Sequence, residues 1–324
     1  MELYISHGSA LEYWRQPALR RQFEALKPTR KKPPLELPVR ADYRTSGPQG
    51  LSLPLTVLVG SNKAERKSKT MRTHVHGSAL PEGSFLQFGS GLAVSSPELC
   101  FFQMALELPL VKLIELGFEF CGSYTIAEAD ATEPEEKPVS EQPYDLPQLT
   151  NKQALKAYVE RMQGVRGYKK AARALQYIAD GSASPMETTL FLLLTLPYQL
   201  GGYGLPLPVL NYQVTPSQAA RSSVHKNFYR CDLFWETAKL NVEYDSDVFH
   251  SGKPAIALDA KRRLDLATLG VETITVTSEQ LHSVAELDLL AQHLASRLNK
   301  RLRYKEPQFS QQRRELRDCL LPKE

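Results

Sequence analysis

Hydrophobic and polar residues alternate with period two in two neighbouring stretches, Tyr229–Trp235 and residues 239–245. Successive side chains of a strand point to opposite faces, so this pattern predicts an antiparallel hairpin. One face is apolar and suits a core, and it holds Tyr229, Cys231, Leu233, Trp235, Leu240, Val242 and Tyr244. The other face is polar and holds Arg230, Asp232, Asn241, Glu243 and Asp245.

The hairpin belongs to a longer series of predicted elements. Ser184 and Pro185 are typical of a helix start, and they precede the apolar stretch 190–196. The elements that follow are a strand over 209–214, the hairpin, a helix over 255–269, a strand over 271–277 and a long C-terminal helix. The order after Ser184 is therefore helix, three strands, helix, strand.

The first part of the chain predicts a smaller α+β unit. Ser96 and Pro97 mark the start of one helix, which continues to about residue 108. The other predicted elements are helices over 9–15 and 109–120 and strands over 53–59, 71–75, 85–88 and 92–94, with a basic proline-rich loop over 27–38.

Residues 127–150 are rich in Glu, Pro and polar side chains and show no hydrophobic period. We therefore predict an extended interdomain linker there, between an α+β domain over 1–126 and an α/β domain over 151–324. Amphipathic helices with basic faces are expected at 151–162 and 168–180.

The composition is that of a globular protein, with 42% hydrophobic and 23% charged residues in a chain of 324. No secretory signal is recognisable, and the stretch 190–196 is too short to span a membrane. The four cysteines are scattered without the spacing of a zinc knuckle or a disulfide framework. These features predict a cytoplasmic protein with no membrane association.

The net charge of +4 is unevenly distributed. Residues 128–145 are strongly acidic, so the rest of the chain is more basic than the total suggests. Such a basic body suits a polyanionic partner such as nucleic acid.

Two acids stand out on the polar face of the hairpin. If Thr237 and Ala238 centre the turn, Asp232 lies directly across from Glu243, with Cβ atoms about 4.5–5.5 Å apart. Like charges in this position destabilise a sheet, and a hard divalent ion such as Mg²⁺ would compensate. Zn²⁺ would require Cys or His ligands, which this face lacks. The alternative is a solvated face neutralised by Arg230 and Lys239.

The order of elements, with an acid on the first helix, Asp232 on the middle strand and Glu243 on the next, resembles the PD-(D/E)XK nuclease superfamily. The closer resemblance is to its very-short-patch-repair-like (Vsr-like) branch. It rests on residues 184–188, 231–233, 243–245 with His250, and 259–262 with Gly270. The resemblance implies a restriction-endonuclease-like αβββαβ core with a mixed sheet.

The same resemblance implies a metal-dependent endonuclease that acts on DNA. Asp232 and Glu243 would hold Mg²⁺ or Mn²⁺, and Glu187 would position the ion or its water. Asp245 would be a further ligand or acceptor. In-line attack by that water would expel the 3′ oxygen, with His250 or Glu243 taking the proton.

One departure from the superfamily pattern bears on catalysis. The position two residues after Glu243, which is usually lysine, is Asp245. We expect Lys261 or Arg262 to supply the missing positive charge. The alternative function is a catalytically weak DNA-binding regulator, because residues 73–76 and 91–105 resemble an AbiEi-type antitoxin-like domain. Such a domain also implies a possible protein partner.

Several candidates have simpler interpretations. Glu187 follows Ser184 by three residues, the spacing of a capping box, in which Glu187 would accept from the Ser184 N–H. Basic residues that would contact phosphates, or only cover a solvated helix face, are Lys169, Lys170, Arg173, Arg262 and Arg263. His74 and His76 have no ligand partner nearby in the sequence, so we expect a structural or surface role for both.

Overall fold

The computed structural model describes residues 3–26, 29–31, 50–60, 67–76, 79–87, 92–126, 142–245, 253–303 and 307–321. The chain forms two compact units, Met1–Asp180 and Gly181–Glu324. The fold is mixed α/β, with one mixed sheet in each unit. No described helix is both long and apolar enough to cross a membrane.

The first unit contains a six-stranded sheet with strand order β2-β5-β6-β1-β3-β4. The strands are β1 (Leu3–Ile5), β2 (Thr29–Lys31), β3 (Leu55–Val59), β4 (Met71–Val75), β5 (Phe85–Gln87) and β6 (Leu92–Ser95). Central β1 is parallel to β6 and antiparallel to β3, and β3 is parallel to β4. The sequence pattern missed β1 and β2, because three residues are too few to show a period.

Six helices accompany this sheet in the described part of the first unit. They are α1 (His7–Trp14), α2 (Pro17–Leu26), α3 (Pro97–Glu107), α4 (Leu110–Cys121), α5 (Lys152–Arg161) and α6 (Tyr168–Ala174). The predicted cap of α3 is confirmed: Ser96 Oγ accepts a hydrogen bond from the Leu99 N–H at 3.2 Å. Helices α5 and α6 pack on α3 and α4, so the boundary between units falls thirty residues later than the sequence suggested.

The described end of the predicted linker, residues 142–150, packs against the first unit instead of extending away from it. Leu146 and Leu149 are buried, and their N–H groups donate to the carbonyls of Ser123 and Phe120. The buried Arg20 side chain donates to the Pro147 carbonyl at 2.7 Å and to the Tyr124 carbonyl at 2.5 Å. Most of the predicted linker, residues 127–141, lies outside the described residues.

The second unit contains a four-stranded sheet with strand order β10-β9-β8-β7. The strands are β7 (Val209–Val214), β8 (Tyr229–Trp235), β9 (Leu240–Asp245) and β10 (Glu272–Thr277). The predicted hairpin register is confirmed, because Leu233 pairs with Val242 and Trp235 with Leu240. Strands β7, β8 and β9 form an antiparallel meander, and β10 is parallel to β9.

The helices of this unit are α7 (Pro185–Thr195), α8 (Lys253–Thr268), α9 (Ser278–His282), α10 (Val284–Arg297) and α11 (Pro307–Leu320). The predicted order of helix, three strands, helix, strand is found in α7, β7, β8, β9, α8 and β10. The prediction of a single long C-terminal helix was wrong. Ser283 caps a separate helix, α10, and its Oγ accepts a hydrogen bond from the Glu286 N–H at 3.3 Å.

The core of the second unit uses the apolar face predicted for the hairpin. Tyr229, Cys231, Leu233 and Leu240 are buried, and Leu266 of α8 packs in one cluster with Tyr229, Cys231 and Phe234. All four cysteines of the chain are free thiols. The sheet therefore holds its polar strand residues in fixed positions beside α7 and α8.

Candidate functional site

Asp232 lies in the middle of the sheet of the second unit, on β8. The pairing of Leu233 with Val242 puts Asp232 opposite Glu243 at the next position, as the sequence predicted. On its other side, the pairs Leu210–Leu233 and Tyr212–Cys231 place Asn211 opposite Asp232. The Tyr244 N–H donates to Asp232 Oδ2 at 3.1 Å. Asp232 is thus held between a carboxylate and an amide on neighbouring strands.

Glu187 reaches this region from the first turn of α7. Ser184 Oγ accepts from the Glu187 N–H at 3.1 Å, which confirms the predicted cap. The Glu187 carboxylate accepts from the Ala183 N–H at 3.0 Å, one residue before the expected partner, and from Asn211 Nδ2 at 2.9 Å. Asn211 adopts a left-handed φ of 49°, which asparagine tolerates better than most residues.

The carboxylates perturb one another. Burial, followed by the negative charges of Glu187 and Glu243, raises the pKa of Asp232 to about 7. Asp232 therefore changes charge near neutral pH, where a cation would favour its ionised form.

Arg262 of α8 supplies a positive charge to this cluster. Its guanidinium pairs with the Glu243 carboxylate and donates to the Arg230 carbonyl. Asn241 Nδ2 donates to the other Glu243 oxygen at 2.7 Å. Of the two cations expected to replace the missing lysine, Arg262 makes the contact. Lys261 is exposed and forms no ion pair with any residue that the structure describes.

A histidine and an aspartate that the sequence analysis did not single out lie beside the acids. His225 Nδ1 is 2.9 Å from Asp265 Oδ1, and the Tyr229 hydroxyl donates to Asp265 Oδ2 at 2.7 Å. Burial acts to raise the pKa of Asp265, but hydrogen bonds from Tyr229 and His225 outweigh it and lower that pKa. Asp265 is therefore an anion that orients the His225 ring.

Several of these groups, but neither Glu243 nor Asp265, line one open cleft of about 710 Å³ in the second unit. Its walls carry acids, a histidine and cations together, and include Glu187, Asp232, Asn211, His225, Tyr229, Lys226, Arg230 and Arg262. The Arg230 side chain is exposed, and its Nε donates to Asn211 Oδ1 at 2.6 Å. The cations of the cleft can attract a negatively charged ligand, and its acids and histidine can exchange protons with that ligand.

The acids do not form a closed metal cage. Among the described residues, the one group of three potential ligands with atoms within 4.8 Å of one another is His7, His74 and Glu107, in the first unit. The carboxylate oxygens of Glu187, Asp232 and Glu243 do not all lie within 4.8 Å of one another. Glu243 in particular is engaged by Arg262.

The remaining predicted site residues lie elsewhere. Asp245 ends β9, where it pairs with Thr277 of β10, and His250 falls outside the described residues. Arg263 pairs with Asp259 one turn earlier on α8. The basic residues Lys169, Lys170 and Arg173 belong to α6 of the first unit.

Lys170 has a structural partner. Its Nζ donates to the Leu108 carbonyl at the end of α3 at 2.9 Å, where a cation also complements the helix dipole. Lys169 and Arg173 are exposed.

Sequence reasoning missed Asn211 and His225, which line the cleft, and Asp265, which contacts His225. His225 and Asp265 are forty residues apart, and no local spacing connects them. Comparison of the chain with protein-family models, curated proteins and solved structures finds no match in any of the three.

Proposed function

We propose that the second unit is a divalent-metal-dependent endonuclease that hydrolyses phosphodiester bonds in DNA. The observation that carries this proposal is the raised pKa of Asp232 beside Glu187 and Glu243, in a cleft that also holds Arg262 and His225. A protein that only binds polyanions gains nothing from concentrating acids in its binding cleft.

The topology of the second unit supports a restriction-endonuclease-like core. A meander of β7, β8 and β9 is followed by α8 and by β10, parallel to β9. This is the αβββαβ arrangement that the resemblance implies. It places Asp232 and Glu243 on adjacent strands and Glu187 on the preceding helix.

The acids fit Mg²⁺ or Mn²⁺ by donor type and charge. All three offer carboxylate oxygens, the ligands that hard cations prefer, and a cation would relieve the repulsion that raises the pKa of Asp232. Their separation means that holding one ion requires side-chain movement, above all by Glu243. When bound, the ion would polarise the scissile phosphate and lower the pKa of a coordinated water.

The residues of the chain have separate tasks in this proposal. Arg262 offers a fixed positive charge for the anionic transition state, in place of the superfamily lysine. His225 exchanges a proton through Nε2, because Nδ1 is held by Asp265. Lys226 and Arg230, both exposed at the cleft, attract the phosphate backbone.

A second candidate function is a DNA-binding regulator without strong catalysis. The observation that favours it is the ion pair between Arg262 and Glu243, which neutralises one of the proposed ligands without a metal. The N-terminal resemblance to an antitoxin-like domain points the same way, and it leaves a protein partner as part of this hypothesis.

A nicking assay separates the two functions. Supercoiled plasmid is incubated with Mg²⁺ or Mn²⁺ and either the parent chain or the double variant Asp232→Asn, Glu243→Gln. The proposal predicts metal-dependent nicking by the parent and a rate lower by about 1,000-fold or more in the double variant. Asp259→Asn, which removes an exposed acid from the same helix as Arg262, is the matched control and keeps the parental rate.

Other outcomes contradict the enzyme. Equal retention of DNA by parent and double variant, with no nicking by either, supports the regulator. Nicking that persists in the double variant places the chemistry at another site.

A further inference from the structure

A cluster of metal-binding side chains in the first unit has no part in the proposed nuclease. His7 begins α1, His74 lies on β4, and Glu107 is the last residue of α3. One ligand atom from each residue lies within 4.8 Å of the other two. The three residues come from segments far apart in the chain, so no spacing in the sequence connects His74 with the other two.

The fold explains how these residues meet. Ile5 of β1 pairs with Val57 of β3, and Leu58 of β3 pairs with His74 of β4. Because β1 runs antiparallel to β3, the chain leaves β1 beside the start of β3. Helix α1 packs against β3, and the His7 ring stacks on that of His74. Helix α3 packs on α1 and brings in Glu107 at its C-terminus.

The two imidazole rings lie face to face. The rings of His7 and His74 stack with centroids 3.8 Å apart and planes at 21°. Two imidazolium cations this close would repel each other strongly. Burial, followed by the charges of His74 and His76, lowers the pKa of His7 to about 3, so His7 keeps a nitrogen lone pair at neutral pH.

The His7 ring is held for binding through one nitrogen. His7 Nδ1 lies 3.0 Å from Ser6 Oγ, and in the tautomer that donates from Nδ1 to this oxygen the Nε2 lone pair is free for an ion. Its backbone has a left-handed φ of 48°, which is rare for a bulky residue. Gln103 Oε1 accepts from the His7 N–H at 3.0 Å and fixes this strained position. Strain that the surroundings enforce in this way is typical of functional sites.

His76 adds a second sign of a missing ligand. It follows His74 by two residues, and its charge acts on His7, so it lies near the cluster. Its Nε2 is buried and has no hydrogen-bond partner among the described residues. Buried polar atoms nearly always have a partner, and water on a bound ion would provide one.

The geometry points to a Zn²⁺ site formed by His7, His74 and Glu107. Zn²⁺ favours imidazole nitrogen with carboxylate oxygen, and two His and one Glu with water in the fourth position form a known zinc set. Zn–N bonds of about 2.0–2.1 Å separate two ligand nitrogens by about 3.3 Å, so the stacked rings must turn for both nitrogens to reach one ion. The acids of the second unit offer only oxygen and suit a harder ion.

Zinc content of the full chain tests this site. The protein is stripped with a chelator, loaded with Zn²⁺, desalted and measured by mass spectrometry of the metal. We expect one Zn²⁺ per chain, and binding weaker by about 100-fold or more in His74→Gln and in Glu107→Gln. These two residues are chosen because His7 is buried and its replacement endangers folding.

Control variants make the result specific. His293→Gln, which removes a half-exposed histidine of the second unit, keeps the bound zinc, and so does Asp232→Asn. Co²⁺ in place of Zn²⁺ should give the intense visible absorption of a tetrahedral site in the parent and lose it in His74→Gln, with unchanged far-ultraviolet circular dichroism. Absence of retained Zn²⁺ in the parent, or equal retention by His74→Gln, overturns the proposal.

Discussion

Asp232 shows most clearly how the sheet creates reactivity from an ordinary carboxyl group. Strand pairing fixes it opposite Glu243, and α7 adds Glu187, so its ionised form is opposed by burial and by two like charges. The cost appears as a pKa raised to about 7. A bound cation or a proton removes this cost. Below about pH 7 the Asp232 carboxyl binds the proton, and above that pH only a cation can remove the cost.

This cost predicts a specific dependence of stability on pH. The unfolded chain ionises Asp232 near pH 3.8, whereas the folded chain keeps the proton until about pH 7. The folded state binds more protons between these values, so the free energy of unfolding falls as pH rises through that window. Asp232→Asn should therefore raise the free energy of unfolding at pH 8 by about 2–4 kcal/mol and change it little at pH 3.

Urea denaturation without divalent metal, followed by Trp235 fluorescence in a Trp14→Phe background, measures this difference. The matched control is Asp259→Asn, whose exposed carboxylate should give no pH-dependent gain. Equal pH dependence in the parent and in Asp232→Asn would refute the account of the Asp232 carboxyl.

His225 makes a second prediction at the residue scale. If it exchanges a proton during cleavage, His225→Gln lowers the nicking rate by about 100-fold or more, while DNA retention stays the same. Asp265→Asn should lower the rate as well and shift its pH optimum, since Asp265 orients the ring. Nicking rates from pH 5 to 9 measure both effects, with His293→Gln as the control histidine. An unchanged rate in His225→Gln removes this residue from the mechanism.

At the scale of single elements, the turn that packs against α11 in the second unit requires a glycine. Gly201 follows the short 3-10 turn Tyr198–Leu200 with a left-handed φ of 87°. A Cβ there would collide with the backbone of Gln312 and Arg313 in α11. Backbone atoms cannot move aside as a flexible side chain can, so α11 would have to separate from this turn.

Gly201→Ala should therefore lower the free energy of unfolding of the second unit by about 2–4 kcal/mol. Gly8→Ala is the control, because a Cβ at Gly8 in α1 meets nothing within 4 Å. This substitution also removes a glycine from a helix. We expect that control to be neutral or stabilising by about 0.5–1 kcal/mol. Denaturant titrations measure the free energy of unfolding of both variants. Equal stabilities would show that α11 is not fixed at this turn.

The elements differ in how far their sequence predicts them. The hairpin register follows from strict alternation and a short turn, and Leu233 does pair with Val242. The caps at Ser96 and Ser184 follow from local hydrogen bonding, which needs no tertiary context. In contrast, β2 carries no period and exists because β5 pairs with it.

At the scale of the whole molecule, contacts between distant segments determine both the unit boundary and the sites. The packing of α5 and α6 on α3 and α4 assigns residues 151–180 to the first unit, although the acidic stretch before them suggested a linker. His225 with Asp265, and His7 with His74, are likewise brought together only by folding. Composition and period therefore located the acids of the hairpin but neither histidine site.

Capture of a divalent cation by Asp232, Glu243 and Glu187 can be measured as Mn²⁺ binding by electron paramagnetic resonance. The intact chain is titrated at pH 8 in a His74→Gln background, which removes the other metal cluster. We expect one bound Mn²⁺ per chain, and an affinity lower by about tenfold or more in the added Asp232→Asn variant. Mn²⁺ binding that is absent, or unchanged by Asp232→Asn, would contradict the account.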